Sequence, residues 1–271
     1  MQSEAEARIA ALEHDAEEKA KALQAAAFPP LPNQGYRAAL VVGNSAYKFA
    51  NLLTNPRKDA EGVANALRTV GFDSVTLVED ATLPQLKKSL RDFQDVADRA
   101  DWAVVYYAGH GIEIGGQNYL IPTDARLASD RDADDETVSL QSVLTRIHNA
   151  KKLRLVILDA CRDNPFQRVM KREISTRAIT RGLAPFEPRV ADEMVVFAAK
   201  DGEWAADGGV TGHSPFATAL IQRLQMPRTE INRVFRIVTS DVMHATDNLQ
   251  QPFVYGSTPG DEDFYFNTKP N

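Results

Sequence analysis

The chain has 271 residues, 44% hydrophobic and 25% charged, with 31 basic against 37 acidic side chains and a net charge of −6, a length that suits one large domain or two small ones. The acid excess gives no electrostatic footing for nucleic acid or an anionic membrane; no apolar run approaches the roughly 18 residues that span a bilayer, and the acidic start MQSEAEARIAALEHDAEEK lacks the apolar centre of a secretory signal. The single cysteine, Cys161, excludes an internal disulfide and any multi-cysteine zinc or iron–sulfur site.

Residues 1–27 hold almost no Gly, Pro or β-branched residues, and their larger apolar groups, Ile9, Leu12 and Leu23, form a thin helical stripe. The spacing predicts a solvated helix; a coiled-coil tail is the alternative. FPPLPNQG, from Phe28 to Gly35, ends it, and a domain starts at about Tyr36. From there short apolar runs alternate with helical patterns: AALVVG from Ala38, a helix from Arg57 to Val70, SVTLV from Ser74, a helix after Thr82, and WAVVYYAG from Trp102. GIEIGGQNYLIPTD follows, with apolar residues flanking Gly115 and Gly116, which suits a hairpin turn.

Beyond the acidic segment SDRDADDETV come a helix from Val138 to Asn149, the strand LRLVILDA from Leu153, and a long connection from Asp163 to about Glu193. That connection carries Arg168, Lys171, Arg172, Arg177, Arg181 and Arg189. MVVFAA from Met194, helices near Phe216–Gln225 and Ile231–His244, and an edge strand DFYF ending at Phe266 complete the chain. Runs apolar on both faces and separated by helices predict an α/β fold: about six strands, mostly parallel, with helices on both faces.

Ligands of parallel sheets sit at the carboxyl ends of the strands. The third strand exits through YYAGHG, placing His110 between two glycines, and the fourth exits through LDACRDNPF, placing Cys161 there. If these strands are neighbours, a thiol stands beside an imidazole that can take its proton and leave the nucleophilic thiolate. Flanking glycines let a substrate backbone approach and free the Gly111 N–H for an oxyanion. GNSAY is no serine-hydrolase elbow, because Tyr47 replaces its last glycine. No P-loop or dinucleotide fingerprint occurs, and His14, His148, His213 and His244 lack metal-ligand spacing.

Caspases carry their cysteine in Gln-Ala-Cys with the histidine about 50 residues upstream; here Asp159, Ala160 and Cys161 follow His110 at that distance. With VVGNSAY, the NPRKDA segment ahead of the first helix, NYLIPTDA, GHSPFATAL and QQPF in order, the chain resembles the caspase-like clan of cysteine peptidases over Tyr36 to Phe266, on the metacaspase or bacterial orthocaspase side. The resemblance implies a caspase-like sandwich with a p20-like part at about 36–165, a loop at about 166–190 and a p10-like part at about 191–267, after an N-terminal helix and linker over 1–35. It makes Cys161 the nucleophile, His110 the general acid and base, the N–H groups of Gly111 and Cys161 the oxyanion hole, and Asp59 and Asp159 the lining of the S1 pocket. Ala108 stands where such enzymes often have Ser.

Asp124, Asp134 and Asp135 resemble part of an activating calcium site, although Arg168 occupies a position where a further carboxylate would be sought; the other reading of this segment is a solvated acidic loop. The implied activity is an endopeptidase that cleaves protein or peptide substrates after Arg or Lys through an acyl-enzyme and processes its own basic loop after Lys171, Arg172, Arg177 or Arg181. It requires no cofactor, with calcium as an activator, and its expected location is cytoplasmic; the oligomeric state turns on whether the DFYF edge is exposed, with a monomer favoured, and the charge and hydropathy argue against nucleic-acid or membrane partners. The competing class is a caspase-like pseudo-protease serving as an interaction or signalling module.

Overall fold

The computed structural model describes residues 14–19, 31–161, 165–166, 170–171, 192–199, 212–256, 258 and 262–269, and of Cys161 the backbone. Residues 14–19 are helical; the rest of the N-terminal helix expectation and most of the basic loop lie outside the described residues.

The apolar runs become neighbours in one sheet. Strands β1 (Arg37–Gly43), β2 (Ser74–Glu79), β3 (Trp102–Ile114), β6 (Leu153–Cys161), β7 (Glu193–Phe197) and β8 (Phe253–Tyr255) lie in the order β2-β1-β3-β6-β7-β8. The first five are parallel and β8 runs antiparallel to β7. Beyond the sheet, β3 folds back into β4 (Gln117–Leu120), which pairs with β5 (Val138–Ser139). The turn uses Gly115 and Gly116 at φ 63° and 84°, the left-handed pair that a two-residue hairpin loop demands.

All of β3 is buried, and its alternation assigns the two faces. Trp102, Val104, Tyr106 and Ala108 share a core with helices α1 (Pro56–Thr69), α5 (Pro215–Leu224) and α6 (Ile231–Ala245). Ala103, Val105 and Tyr107 pack on the opposite face against α2 (Leu83–Ala97) and α4 (Leu140–Ile147). Between β4 and β5 stand one 3-10 turn (Asp130–Asp132) and the short α3 (Ala133–Glu136), so the acidic segment is ordered rather than an irregular loop. The helix starts are written in the sequence. Thr82 and Gln85 form a capping box on α2, and the Ser214 hydroxyl accepts the Ala217 N–H (2.9 Å) at α5, whose first residues include Pro215.

One predicted strand is wrong. DFYF makes only one isolated bridge, Tyr265 to Glu230, and Asn267 just beyond it makes another to Pro227; the sheet edge is β8, formed by FVY. The Phe264/Phe266 alternation serves packing instead: both rings meet Trp102 edge-on, at 5.3 and 5.7 Å between centroids. Arg37 clamps this tail. Its guanidinium donates to the carbonyls of Phe266 (2.7 Å), Gly71 (2.8 Å) and Val70 (3.1 Å) and lies 4.9 Å over the Phe72 ring. Burial pushes the Arg37 pKa down, and Asp73 pulls it back in part.

Arg37→Leu would strand these carbonyls, each buried acceptor without a donor costing about 1–3 kcal/mol. We expect the variant to lose about 2–4 kcal/mol in urea unfolding, with tryptophan emission reporting loosening around Trp102; an unchanged midpoint would show that the clamp contributes nothing.

Candidate active site

The β3–β6 register runs from Trp102 opposite Leu153 to His110 opposite Cys161. The two strand exits singled out in the sequence are therefore adjacent and level. The His110 ring is buried, 5% exposed, and Tyr47 packs against it at 4.4 Å between centroids. His110 Nε2 lies 2.8 Å from the Asn51 carbonyl oxygen. A carbonyl only accepts, so Nε2 carries the proton, and in the neutral ring Nδ1 holds the lone pair. Nδ1 is buried with no hydrogen-bond partner among the described residues. Burial pushes the His110 pKa down, opposed in part by the Asn51 carbonyl.

Two tyrosines fix the His110 backbone. The His110 N–H donates to the Tyr47 hydroxyl (2.8 Å), while the Tyr107 hydroxyl lies within hydrogen-bond reach of the carbonyls of His110 (2.7 Å) and Ile121 (2.9 Å). This explains Gly109 better than substrate access does. A Cβ there would stand 2.5 Å from the Tyr47 hydroxyl and 2.8 Å from that of Tyr107, closer than any side chain tolerates.

Parity then orients Gly111. The Asn44 N–H donates to Ala108 O, and the Ile121 N–H to His110 O, so the even residues of β3 turn their backbone groups toward β1 and β4. Odd residues turn theirs toward β6. The Gly111 N–H is thus directed to the Cys161 side.

Asp59 and Asp159 converge on one residue. Asp59 sits inside the first turn of α1 rather than ahead of it, because Pro56 starts the helix. Its Oδ1 accepts from the Ser214 backbone N–H (3.1 Å) and from His213 Nδ1 (2.8 Å). Asp159 Oδ2 accepts from the Ser214 hydroxyl (2.7 Å) and the Tyr106 hydroxyl (3.1 Å). Both carboxylates are buried, at 2% and 8% exposure. Desolvation, then the charges of Asp159 and Asp59, push the Tyr106 phenol well above its usual pKa, so it stays a donor. Ala108 is the register partner of Asp159 and sets a methyl beside the acid.

A family model for the caspase domain matches residues 36–264. The chain belongs to the caspase-domain family. Mucosa-associated lymphoid tissue lymphoma translocation protein 1 of Homo sapiens and its homolog of Mus musculus are each 28% identical over 127 residues, which is 46% of this chain but 15% of either relative's length. Among solved structures, caspase-1 from Spodoptera frugiperda superposes with TM-score 0.64 at 18% identity and pro-sf-caspase-1 with 0.63 at 16%, each match covering 89% of this chain and 95% of the other. These likenesses carry the fold, and the family is one of cysteine peptidases in kind.

In this caspase domain the three carboxylates singled out for calcium are differently engaged. Asp124 accepts the Leu83 N–H (2.8 Å) at the start of α2, Asp134 accepts from the Tyr119 hydroxyl (3.0 Å), and Asp135 is exposed. Among the described residues no three His, Cys, Asp or Glu side chains gather as a metal ion would require. The donor set as folded does not fit calcium, which wants six to eight oxygens around one point. Among those residues, too, no helix is long and apolar enough to cross a membrane.

Asn51, Tyr47, Tyr107, His213 and Ser214 were not anticipated as site residues. GNSAY and GHSPF flag two of these places as motifs, yet a main-chain contact such as Asn51 O to His110 leaves no mark on residue type.

Tyr47→Phe removes the acceptor of a buried N–H at a cost of about 1–3 kcal/mol and loosens the His110 ring. A Tyr47→Phe protein that labels with a thiol-directed probe as fast as the parent would show that this hydroxyl has no influence on Cys161 through His110.

Proposed function

We propose that this caspase domain is a cysteine endopeptidase that cleaves after Arg or Lys through a Cys161–His110 dyad. The observation that carries the reading is the level placement of His110 and Cys161 on adjacent strand ends, with the imidazole held by Asn51 so that its basic nitrogen is left over. Cys161 gives its thiol proton to His110 Nδ1, and the thiolate attacks the substrate carbonyl carbon. The oxyanion is received by the N–H groups of Gly111 and Cys161. The C–N bond breaks as the leaving amine takes the proton from His110, leaving a thioester. Water, deprotonated by the same imidazole, hydrolyses the thioester and restores the thiol. The pathway needs no cofactor.

The paired carboxylates Asp59 and Asp159 form the floor of the S1 pocket. Two buried acids repel an acidic P1 side chain and receive a guanidinium or ammonium through charge-assisted hydrogen bonds. The natural substrates are proteins or peptides with a basic P1 residue, met by a monomer in the cytoplasm. The basic loop is the nearest such substrate. Lys171 lies outside its cleavable part: its N–H donates to Ala128 O, its carbonyl accepts from Asp130 N–H, and Phe166 and Met170 beside it are buried. Cutting falls further on, after Arg172, Arg177 or Arg181.

Cys161→Ala should abolish hydrolysis of an Arg-P1 peptide and leave the fold intact, and Asp159→Ala should lower kcat/KM by at least about two orders of magnitude, the loss expected on removing one member of a buried charge pair. Efficient hydrolysis of an Asp-P1 peptide, or full activity without Cys161, would sink the reading. Thiol labelling that ignores His110 would favour the interaction-module alternative.

Because burial depresses the His110 pKa, its imidazole is neutral at pH 7 and gains a proton only below the ordinary value of about 6.5. The acid limb of kcat/KM therefore falls below about pH 6.5; a limb well above that would contradict His110 as the base. Mass spectrometry of aged protein should find fragments ending within residues 172–190 in the parent and none in Cys161→Ala.

A further inference from the structure

Resting on that reading of the S1 pocket, we propose that His213 is an internal competitor for the P1 base at Asp59, so that protons and basic substrates exclude one another from the pocket. Asp59 is buried to 2% exposure, whereas the His213 side chain is 37% exposed and shares Asp59 Oδ1 with the Ser214 N–H. The imidazole therefore stands between the carboxylate and solvent. It is seated rather than loose. Gly62, three residues after Asp59 and on the same face of α1, leaves room for the ring; a Cβ there would lie 2.9 Å from His213 Cε1 and 3.3 Å from Nε2.

Among the described residues, few other groups around the ring can change charge. On α1 the neighbours Lys58 and Glu61 are exposed, β6 supplies Asp159, β3 supplies Tyr106, whose phenol is held protonated, and α5 presents Ser214 and Ile221, which do not titrate. A neutral His213 gives Asp59 one hydrogen bond, which an incoming guanidinium can replace with two. A protonated His213 forms an ion pair with the same oxygen and cancels the charge that recruits the substrate. Imidazole is the side chain that makes this change between about pH 5 and 8. By linkage, whatever protonation takes from guanidinium affinity, guanidinium takes from proton affinity.

The experiment needs no turnover. Binding of N-acetyl-arginine methylamide to the full-length Cys161→Ala protein is measured by calorimetry at about pH 8 and about pH 5.5, with and without the added change His213→Asn, which keeps a donor for Asp59 but cannot titrate. We expect affinity to fall about tenfold toward the lower pH in Cys161→Ala and by less than about twofold in the double variant. In parallel, saturating ligand should move the His213 NMR titration midpoint in Cys161→Ala to lower pH. Binding with the same pH response in both proteins, or an unmoved His213 midpoint, overturns the competitor role and leaves the S1 reading standing. No binding at either pH in either protein overturns both.

Discussion

The register between β3 and β6 is the constraint on which everything else hangs. Side chains alternate along a strand, so a slip of one residue would turn the whole of β3 inside out. That slip is forbidden from both sides, since Trp102, Val104 and Tyr106 belong to one core and Ala103, Val105 and Tyr107 to the other. The cost of the slip is the burial energy of both cores rather than of a few contacts. A site placed at the last position of such a pair inherits this rigidity, and His110 opposite Cys161 is that position.

Rigidity at the strand end must still be passed to the imidazole. Beyond Ala108 the neighbour β1 has ended at Gly43, and on that side the His110 carbonyl keeps one main-chain donor, the Ile121 N–H, while the His110 N–H has lost its strand partner. The Tyr47 hydroxyl takes that N–H and the Tyr107 hydroxyl adds to the hold on the carbonyl, and the close approach this needs is why Gly109 has no side chain. Ser214 performs the corresponding service for the acids. It ties α1, through Asp59, and β6, through Asp159, to the start of α5 with one backbone and one hydroxyl donor. Ser214 thus joins a helix early in the chain, a central strand and a helix late in the chain at one buried point.

Much of this was legible in the sequence because apolar periodicity and punctuation are local signals. The five parallel strands, the Gly115–Gly116 hairpin and the starts of α2 and α5 all follow from them. DFYF misled because an alternating aromatic pair reads the same whether it pairs in a sheet or packs on Trp102; only the tertiary partner, Arg37 with its carbonyls, distinguishes the two. The adjacency of His110 and Cys161 was legible as two glycine- or acid-flanked strand exits. The orientation of the His110 ring was not, since it depends on the Asn51 carbonyl, and every residue carries a carbonyl. SDRDADDETV suggested a cation by composition, but short helical turns and tyrosine and backbone donors divide its carboxylates among separate tasks.

The distribution of these polar groups bears on whether the fold is an idle scaffold. A buried ring nitrogen without a partner costs about 1–3 kcal/mol, and two buried carboxylates side by side cost more unless well supplied with donors. An interaction module would lose nothing by exchanging His110 for an apolar residue and Asp59 for an amide. Here both unfavourable features sit at the carboxyl ends of the strands, each served by dedicated supports: Tyr47 and Asn51 for His110, Ser214 and Tyr106 for the acids. A buried ring nitrogen without a partner is not peculiar to the strand ends, since Trp102 Nε1 at the start of β3 is another among the described residues; what sets His110 apart is its place beside the buried acids. That pattern favours chemistry at the strand ends over a surface that merely retains the shape of a peptidase.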